Sequence, residues 1–257
     1  MKKFRLGAMG LVALGIAAPA VAADLPAQSY KAPGIVAVSY DWSCLYVGLN
    51  GGGAWSHLCW TDTDITPGTP IPEGCHTASG GLVGGQIGYR FQSSSWVFGL
   101  EFQGDWSQLK SSNPSSLTAA ATTNQTKIDG LGLLTGQVGY AWNNVLGYLK
   151  GGAAVTSDRY NGLLTGTNVV FDKASEARWG GTVGAGIEYS FAPNWSVGAE
   201  YDHLFMGNRS ITMISTGTVA FGAPAGTFSR TDTIKQDADL ATVHVNYRWG
   251  GPVIAKY

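Results

Sequence analysis

The stretch Tyr89-Arg90-Phe91-Gln92-Ser93-Ser94-Ser95-Trp96-Val97-Phe98-Gly99-Leu100-Glu101-Phe102-Gln103-Gly104-Asp105-Trp106 holds a strand ending, a short turn and a second strand. Beyond the turn, Trp96, Phe98, Leu100, Phe102 and Trp106 share one face of an extended chain. Val97, Gly99, Glu101, Gln103 and Asp105 share the other, because successive strand side chains point to opposite sides. A broad apolar face opposite two carboxylates suits lipid on one side and a polar lumen on the other. A soluble sandwich strand alternates in the same way, so the ending before the turn decides. Tyr89-Arg90-Phe91 recurs as Tyr140-Ala141-Trp142, Tyr189-Ser190-Phe191 and Tyr247-Arg248-Trp249, with tyrosines 51, 49 and 58 residues apart. Paired aromatics at the same end of every second strand become a ring when the sheet closes. These eight side chains are therefore read as an aromatic girdle at a membrane boundary.

Working outward, eight strands are predicted: about 44–55, 81–91, 96–106, 128–142, 145–156, 177–191, 195–205 and 239–249. Connections after the second, fourth and sixth are short, as in Asn143-Asn144 and Ala192-Pro193-Asn194. Those after the odd strands are long, about 56–79, 107–127, 161–175 and 207–235. Short turns alternating with long loops, with an even strand count, follow the rule for outer-membrane barrels. A propeller with a repeat of about fifty residues needs four strands per blade, and each unit here holds two. The fold class is thus all-β: an eight-stranded antiparallel up-and-down transmembrane β-barrel with short periplasmic turns and long outer loops.

The amino terminus reads as an export signal. Lys2, Lys3 and Arg5 precede an apolar stretch from Leu6 to Ala18, and Ala20-Val21-Ala22 sets cleavage between Ala22 and Ala23. The expected organisation is a cleaved signal at 1–22, a flexible periplasmic segment at 23–41 and the barrel at 42–257. Losing three basic residues leaves 13 Lys and Arg against 17 Asp and Glu, so nucleic acid is not an expected partner. No later run is apolar for the ~18 residues of a membrane helix. An exported chain that enters lipid without one must close its strands on themselves. The outer membrane is the expected location.

Three cysteines are an odd count for an exported chain. Cys59 and Cys75 are expected to pair as a disulfide, and Cys44 is left over. A zinc site with His57 and His76 is the weaker alternative for the same pair, and no metal or cofactor is expected.

Eight strands enclose a space that side chains fill. Arg90, Lys150, Arg178 and Arg248 are expected to face Glu101, Asp105, Glu188, Glu200 and Asp202 in the lumen. Lys150 is assigned to Glu188, and Arg248 to Glu200 or Asp202, by strand adjacency. Mixed buried charge favours a packed polar plug over a wide channel. A narrow ion or small-solute path through the same charges is the alternative. Leu131 and Leu133 fall on the inner face against the polar pattern. His203, with Ser210 and Ser229 beyond it, is the candidate for lipid-modifying chemistry. No acid is marked on its face, so no catalytic residue is assigned and the protein is not expected to be an enzyme.

The mature start Ala23-Asp24-Leu25-Pro26, the segment from Leu45 to Trp55 and the tail from Val245 to Tyr257 resemble small outer-membrane β-barrel proteins of alphaproteobacteria. These are the porin-like proteins of rhizobia and brucellae. The resemblance implies a monomeric barrel with roles in envelope integrity and surface antigenicity. It also implies outer-membrane lipids, lipopolysaccharide and the barrel-assembly machinery as partners. In some members the Ala-Asp start is tethered to peptidoglycan, which Ala23 and Asp24 match. Haem binding is proposed for a few relatives, with no site to carry over, and the polar loops are an alternative adhesin surface. The sequence departs from the usual pattern in carrying eight residues after Trp249, so the terminal aromatic signal is expected to be internal.

Overall fold

The computed structural model describes residues 40–64, 69–218 and 223–249. The signal, the Ala22–Ala23 cleavage site, the Ala23-Asp24 start and the tail after Trp249 lie outside the described residues. Eight strands run in chain order: β1 Cys44–Asp62, β2 Ile71–Ser93, β3 Trp96–Pro114, β4 Thr122–Trp142, β5 Val145–Leu164, β6 Val170–Ala192, β7 Trp195–Ser215 and β8 Phe228–Arg248. Each pairs antiparallel with the next, and β1 closes on β8 from Tyr46↔Arg248 to Asp62↔Asp232. Closure leaves no free edge strand, so backbone donors and acceptors are met inside the wall except where the β6–β7 ladder is interrupted between Lys173 and Gly181.

The apolar alternation read from the sequence is the outer surface. Leu49, Leu100, Leu134, Leu149, Val183 and Val243 all stand exposed. Near the turns, Tyr89, Phe91, Tyr140, Trp142, Tyr189, Phe191 and Trp249 point outward with Trp96 and Trp195, and Tyr247 packs against Trp195 and Trp249. A second outward band holds Trp55, Trp106, Trp179 and Tyr201. Ten residues of β3 separate Trp96 from Trp106. At ~3.3 Å per residue and a ~40° tilt the two bands lie about 25 Å apart, the height of a bilayer core.

The short turns stand where expected. Asn143, φ 54°, sits in the tight β4–β5 turn, a conformation asparagine tolerates because its side chain substitutes for backbone hydrogen bonding. The outer loops are shorter than expected. Residues 56–62 and 71–79 continue β1 and β2, and β8 begins at Phe228 rather than near Asp239. Above the upper band the outer face meets water, so Thr, Ser and Lys replace the aromatics and the contrast of alternation fades. The β1–β2, β3–β4, β4–β5 and β7–β8 ladders continue regardless, while β2–β3 pairing stops at Ser79↔Lys110 and β6–β7 pairing is interrupted between Lys173 and Gly181. A bulge between Ile128 and Gly130 also shifts the parity of β4, putting Ile128 inside on an even number while Leu131 and Leu133 are inside on odd ones.

The boundary of the flexible segment moves as well. Trp42 is buried beneath the barrel, its indole donating to Asn143 O at 3.1 Å, and Tyr40 packs against it. Tyr40 and Asp41 therefore belong with the barrel, at its periplasmic end.

Candidate functional site

The lumen is built in layers. In the lower layer the Lys150 ammonium donates to Glu200 in a close contact and lies 3.4 Å from both Glu101 and Asp202. Tyr46 donates its hydroxyl to Glu101 at 2.6 Å, and Tyr148 donates to Glu200 at 2.7 Å. Arg90 donates to Glu188 at 2.8 Å and to Gln137 at 3.1 Å. Its guanidinium carbon stands 4.4 Å from the Tyr46 ring centroid and 5.4 Å from that of Tyr148. Glu188 also accepts from Ser196 and from Asn246, the latter at 3.1 Å. Asp105 accepts from Gln103 at 2.9 Å. Each of these charges is buried; for most of them the partners supply hydrogen bonds as well as opposite charge, while Asp202 has the Lys150 ion pair alone and Asp105 an amide donor.

Two expected pairings are corrected. Lys150 meets Glu101, Glu200 and Asp202 rather than Glu188, which belongs to Arg90. Long inward side chains meet across a narrow lumen, so strand adjacency is a poor guide to partners. Arg248 meets neither Glu200 nor Asp202. It donates to Pro193 O at 2.9 Å and to Asp41 O, and covers the Tyr40 ring at 3.7 Å. It closes the periplasmic end. Arg178 is also apart, higher in the lumen, donating to Gln236 at 2.8 Å and to Ile234 O at 2.6 Å.

Above the charged layer lies an apolar one that the polar-plug expectation lacked. Leu82, Leu131, Leu133, Leu204 and Leu240 are buried together with Ala54, Ala78, Ala154 and Ala238. Leu131 and Leu133, at odds with a polar interior, are part of this dry layer. Leu58, Leu109, Ile128, Ile234, Met213, Trp60 and Tyr160 extend it upward.

The outer mouth holds a second charged cluster. Arg230 donates to both carboxylate oxygens of Glu73 at 3.1 Å, to Asp172 at 2.9 Å and to Asn124 at 3.0 Å. Asp232 and Asp62 complete it, facing each other across β8 and β1. Burial pushes the Asp232 carboxyl up to about 7, with Arg230 pulling the other way. Sequence reading missed this cluster because it placed these residues in loops. The alternation of Arg230, Asp232, Ile234 and Gln236 on one parity was the available signal.

The domain profile described as "Outer membrane protein beta-barrel domain" matches residues 9–248, nearly the whole chain. The chain belongs to this outer-membrane β-barrel family. Among curated proteins, the barrel is 27% identical over 213 residues to the 31 kDa outer-membrane immunogenic proteins of Brucella melitensis and Brucella suis. These matches cover 78% of this chain and 86% of each relative. An uncharacterised Coxiella burnetii protein is 27% identical over 187 residues, covering 66% of this chain and 72% of its own. Among solved structures, the outer-membrane protease OmpT of Escherichia coli superposes with a TM-score of 0.50 at 10% identity, covering 80% of this chain and 97% of its own. At that identity the likeness is one of fold. The protein is thus an outer-membrane β-barrel, and its likeness to the Brucella proteins agrees with the resemblance read from the sequence.

On the outer wall of this outer-membrane barrel, His203 does have an acid. Its Nδ1 stands 2.7 Å from Asp239, which also accepts from the Tyr201 hydroxyl at 2.6 Å. The β7–β8 register sets His203 opposite Asp239, which sequence reading had not joined. A serine does not complete a triad there: Ser210 bonds Thr233 and Ser229 bonds Asp172. The hydroxyl at this site is a phenol beside Trp55, in the upper aromatic band.

Cys59 and Cys75 form the disulfide, directly opposite each other across β1 and β2. Both sulfurs are therefore withdrawn from a zinc site, and Cys44 is free. The bond closes a loop with a sequence separation of 16. Its loss, by Cys59→Ser with Cys75→Ser, is expected to cost roughly 3 kcal/mol in the chain-entropy model. Urea unfolding followed by tryptophan fluorescence reads that loss. An unchanged midpoint would show that β1 and β2 hold the mouth without it.

Proposed function

We propose that this protein is a monomeric structural barrel of the outer membrane, with a plugged lumen and a surface that engages the outer leaflet and the cell exterior. One observation carries the reading: the lumen is filled at successive levels. Arg248, Tyr40 and Trp42 cover the periplasmic end, the Lys150 and Arg90 networks fill the lower lumen, and the leucine layer lies above them. A wide water path needs open cross-section, and buried leucines offer ions no replacement for their hydration. Proteoliposomes carrying the refolded barrel are expected to show no sugar-driven swelling above protein-free liposomes. Swelling that tracks protein content would overturn the plug.

The outer wall supports the lipid partners. Lys110, Lys127 and Arg159 lie side by side across β3, β4 and β5, and Lys173 joins them on β6. Lys127, Arg159 and Lys173 line one cavity of about 670 Å³, above Trp106 and Trp179. Asp129, on the same wall, pairs with Arg159 at 2.7 Å. A basic wall at the outer edge of the membrane suits the phosphates of lipopolysaccharide. Lys127→Glu combined with Lys173→Glu is expected to reduce the lipopolysaccharide retained by the immobilised barrel. Equal retention would remove this wall from the reading.

The Brucella relatives are named as immunogenic proteins, which fits exposed loops on a rigid scaffold as the surface that meets antibodies or receptors. Assembly by the barrel machinery and a peptidoglycan tether at Ala23-Asp24 belong to the same proposal. We assign no enzymatic role: at His203 the group sharing its acid is the Tyr201 phenol, while Ser210 and Ser229 bond Thr233 and Asp172 instead.

A further inference from the structure

The outer mouth gathers more negative charge than its arginine neutralises. Glu73, Asp172 and Asp232 all lie within ion-pair distance of Arg230, and Asp62 adds a fourth carboxylate. All four carboxylates are buried. Three of them, Asp62 on β1, Glu73 on β2 and Asp232 on β8, come from adjacent strands. Each brings one carboxylate oxygen to within 4.8 Å of the others. That spacing matches oxygens shared around one ion bound at 2.3–2.6 Å.

Asp232 supplies the second observation. It is wholly buried, yet neither of its carboxylate oxygens accepts a hydrogen bond. Its ion pair with Arg230 runs to Nε at 3.4 Å, while the short guanidinium bonds go to Glu73 and Asp172. A buried carboxylate without hydrogen bonds is costly unless something else neutralises it. A cavity of about 430 Å³ opens onto the cluster, lined by Asp62, Asp64, Glu73 and Arg230 together with Phe171 and Phe228. The cavity gives an ion and its remaining waters a way in.

We propose that Asp62, Glu73 and Asp232 hold a divalent cation of the hard, oxygen-preferring class, calcium above all. Calcium accepts irregular carboxylate sets, whereas magnesium demands near-octahedral geometry and gives up water reluctantly. Bound there, the ion ties β8, β1 and β2 together at the mouth, close to the Cys59–Cys75 bridge on the same strands. Arg230 then serves Glu73 and Asp172, and Asp232, which it reaches only at 3.4 Å, receives positive charge from the metal.

The test uses the full mature barrel, refolded in detergent without lipopolysaccharide, stripped with EDTA and titrated with terbium as a luminescent stand-in for calcium. Trp60, whose ring lies 5.8 Å from the Arg230 guanidinium, is the sensitising chromophore. The expected result is saturable emission displaced by calcium, and an unfolding midpoint that calcium raises. Asp232→Asn is expected to weaken terbium binding about tenfold or more and to abolish the calcium-dependent rise. Heat-modifiable migration checks that the variant folds, and Asp62→Asn provides a second variant. Absent emission would overturn the proposal, as would emission unchanged in both variants. So would a midpoint that Asp232→Asn raises without any calcium dependence, which would mean that a proton rather than a metal neutralises Asp232.

Discussion

Replacing Lys150 with methionine is expected to destabilise the barrel by about 3–5 kcal/mol, the cost of leaving buried charge without its partner. Lys150 holds Glu101, Glu200 and Asp202 at once, and all four groups are buried. Methionine keeps the length of the side chain and removes the charge, so the loss reports electrostatics rather than a cavity. Adding Glu101→Gln and Glu200→Gln to Lys150→Met is expected to recover much of it, since neutral amides cost far less to bury than orphaned carboxylates. Urea unfolding in detergent, followed by heat-modifiable migration, measures both variants. An unchanged midpoint for Lys150→Met would mean that the lumen charges are hydrated rather than packed.

The second large effect is steric. A Cβ added at Gly152 on β5 would collide with Leu134 O and stand 2.9 Å from Thr135 Cα, both backbone atoms of β4. Backbone cannot rotate aside as a side-chain tip can, so the β4–β5 ladder must part. Gly152→Ala is expected to refold poorly, with most of the protein migrating as the unfolded form. Gly53→Ala is the matched control, because its Cβ would meet nothing nearer than Gly80 O at 3.9 Å. Equal refolding of the two would show that the wall has slack the structure does not display.

What the sequence disclosed follows from which face meets lipid. Trp96, Phe98, Leu100 and Phe102 had to be apolar because hydrocarbon offers no hydrogen bonds, so the strands were legible wherever they cross the membrane. Above Trp106 and Trp55 water takes over. There Thr61, Thr77 and Ser112 satisfy the outer face, and the strands were mistaken for loops. The mouth cluster of Glu73, Asp172, Arg230 and Asp232 was lost with them. In the lumen the identities of Arg90, Lys150 and Glu188 were readable from parity, but their pairing was not. Pairing depends on which long side chains meet across the lumen, which no spacing within one strand encodes. Leu131 and Leu133 signalled a dry layer that a uniformly polar plug left unexplained.

The central claim is that this lumen is closed, and single-channel current across a planar bilayer tests it most directly. The refolded mature protein, shown to be folded by heat-modifiable migration, is expected to leave the bilayer silent. A Glu101→Ala, Asp105→Ala variant measured beside it is expected to be silent too, because the leucine layer, above Glu101 and beside Asp105, remains. Discrete current steps from the native protein, altered in size by that variant, would show an ion path through the charged layer and contradict the plug.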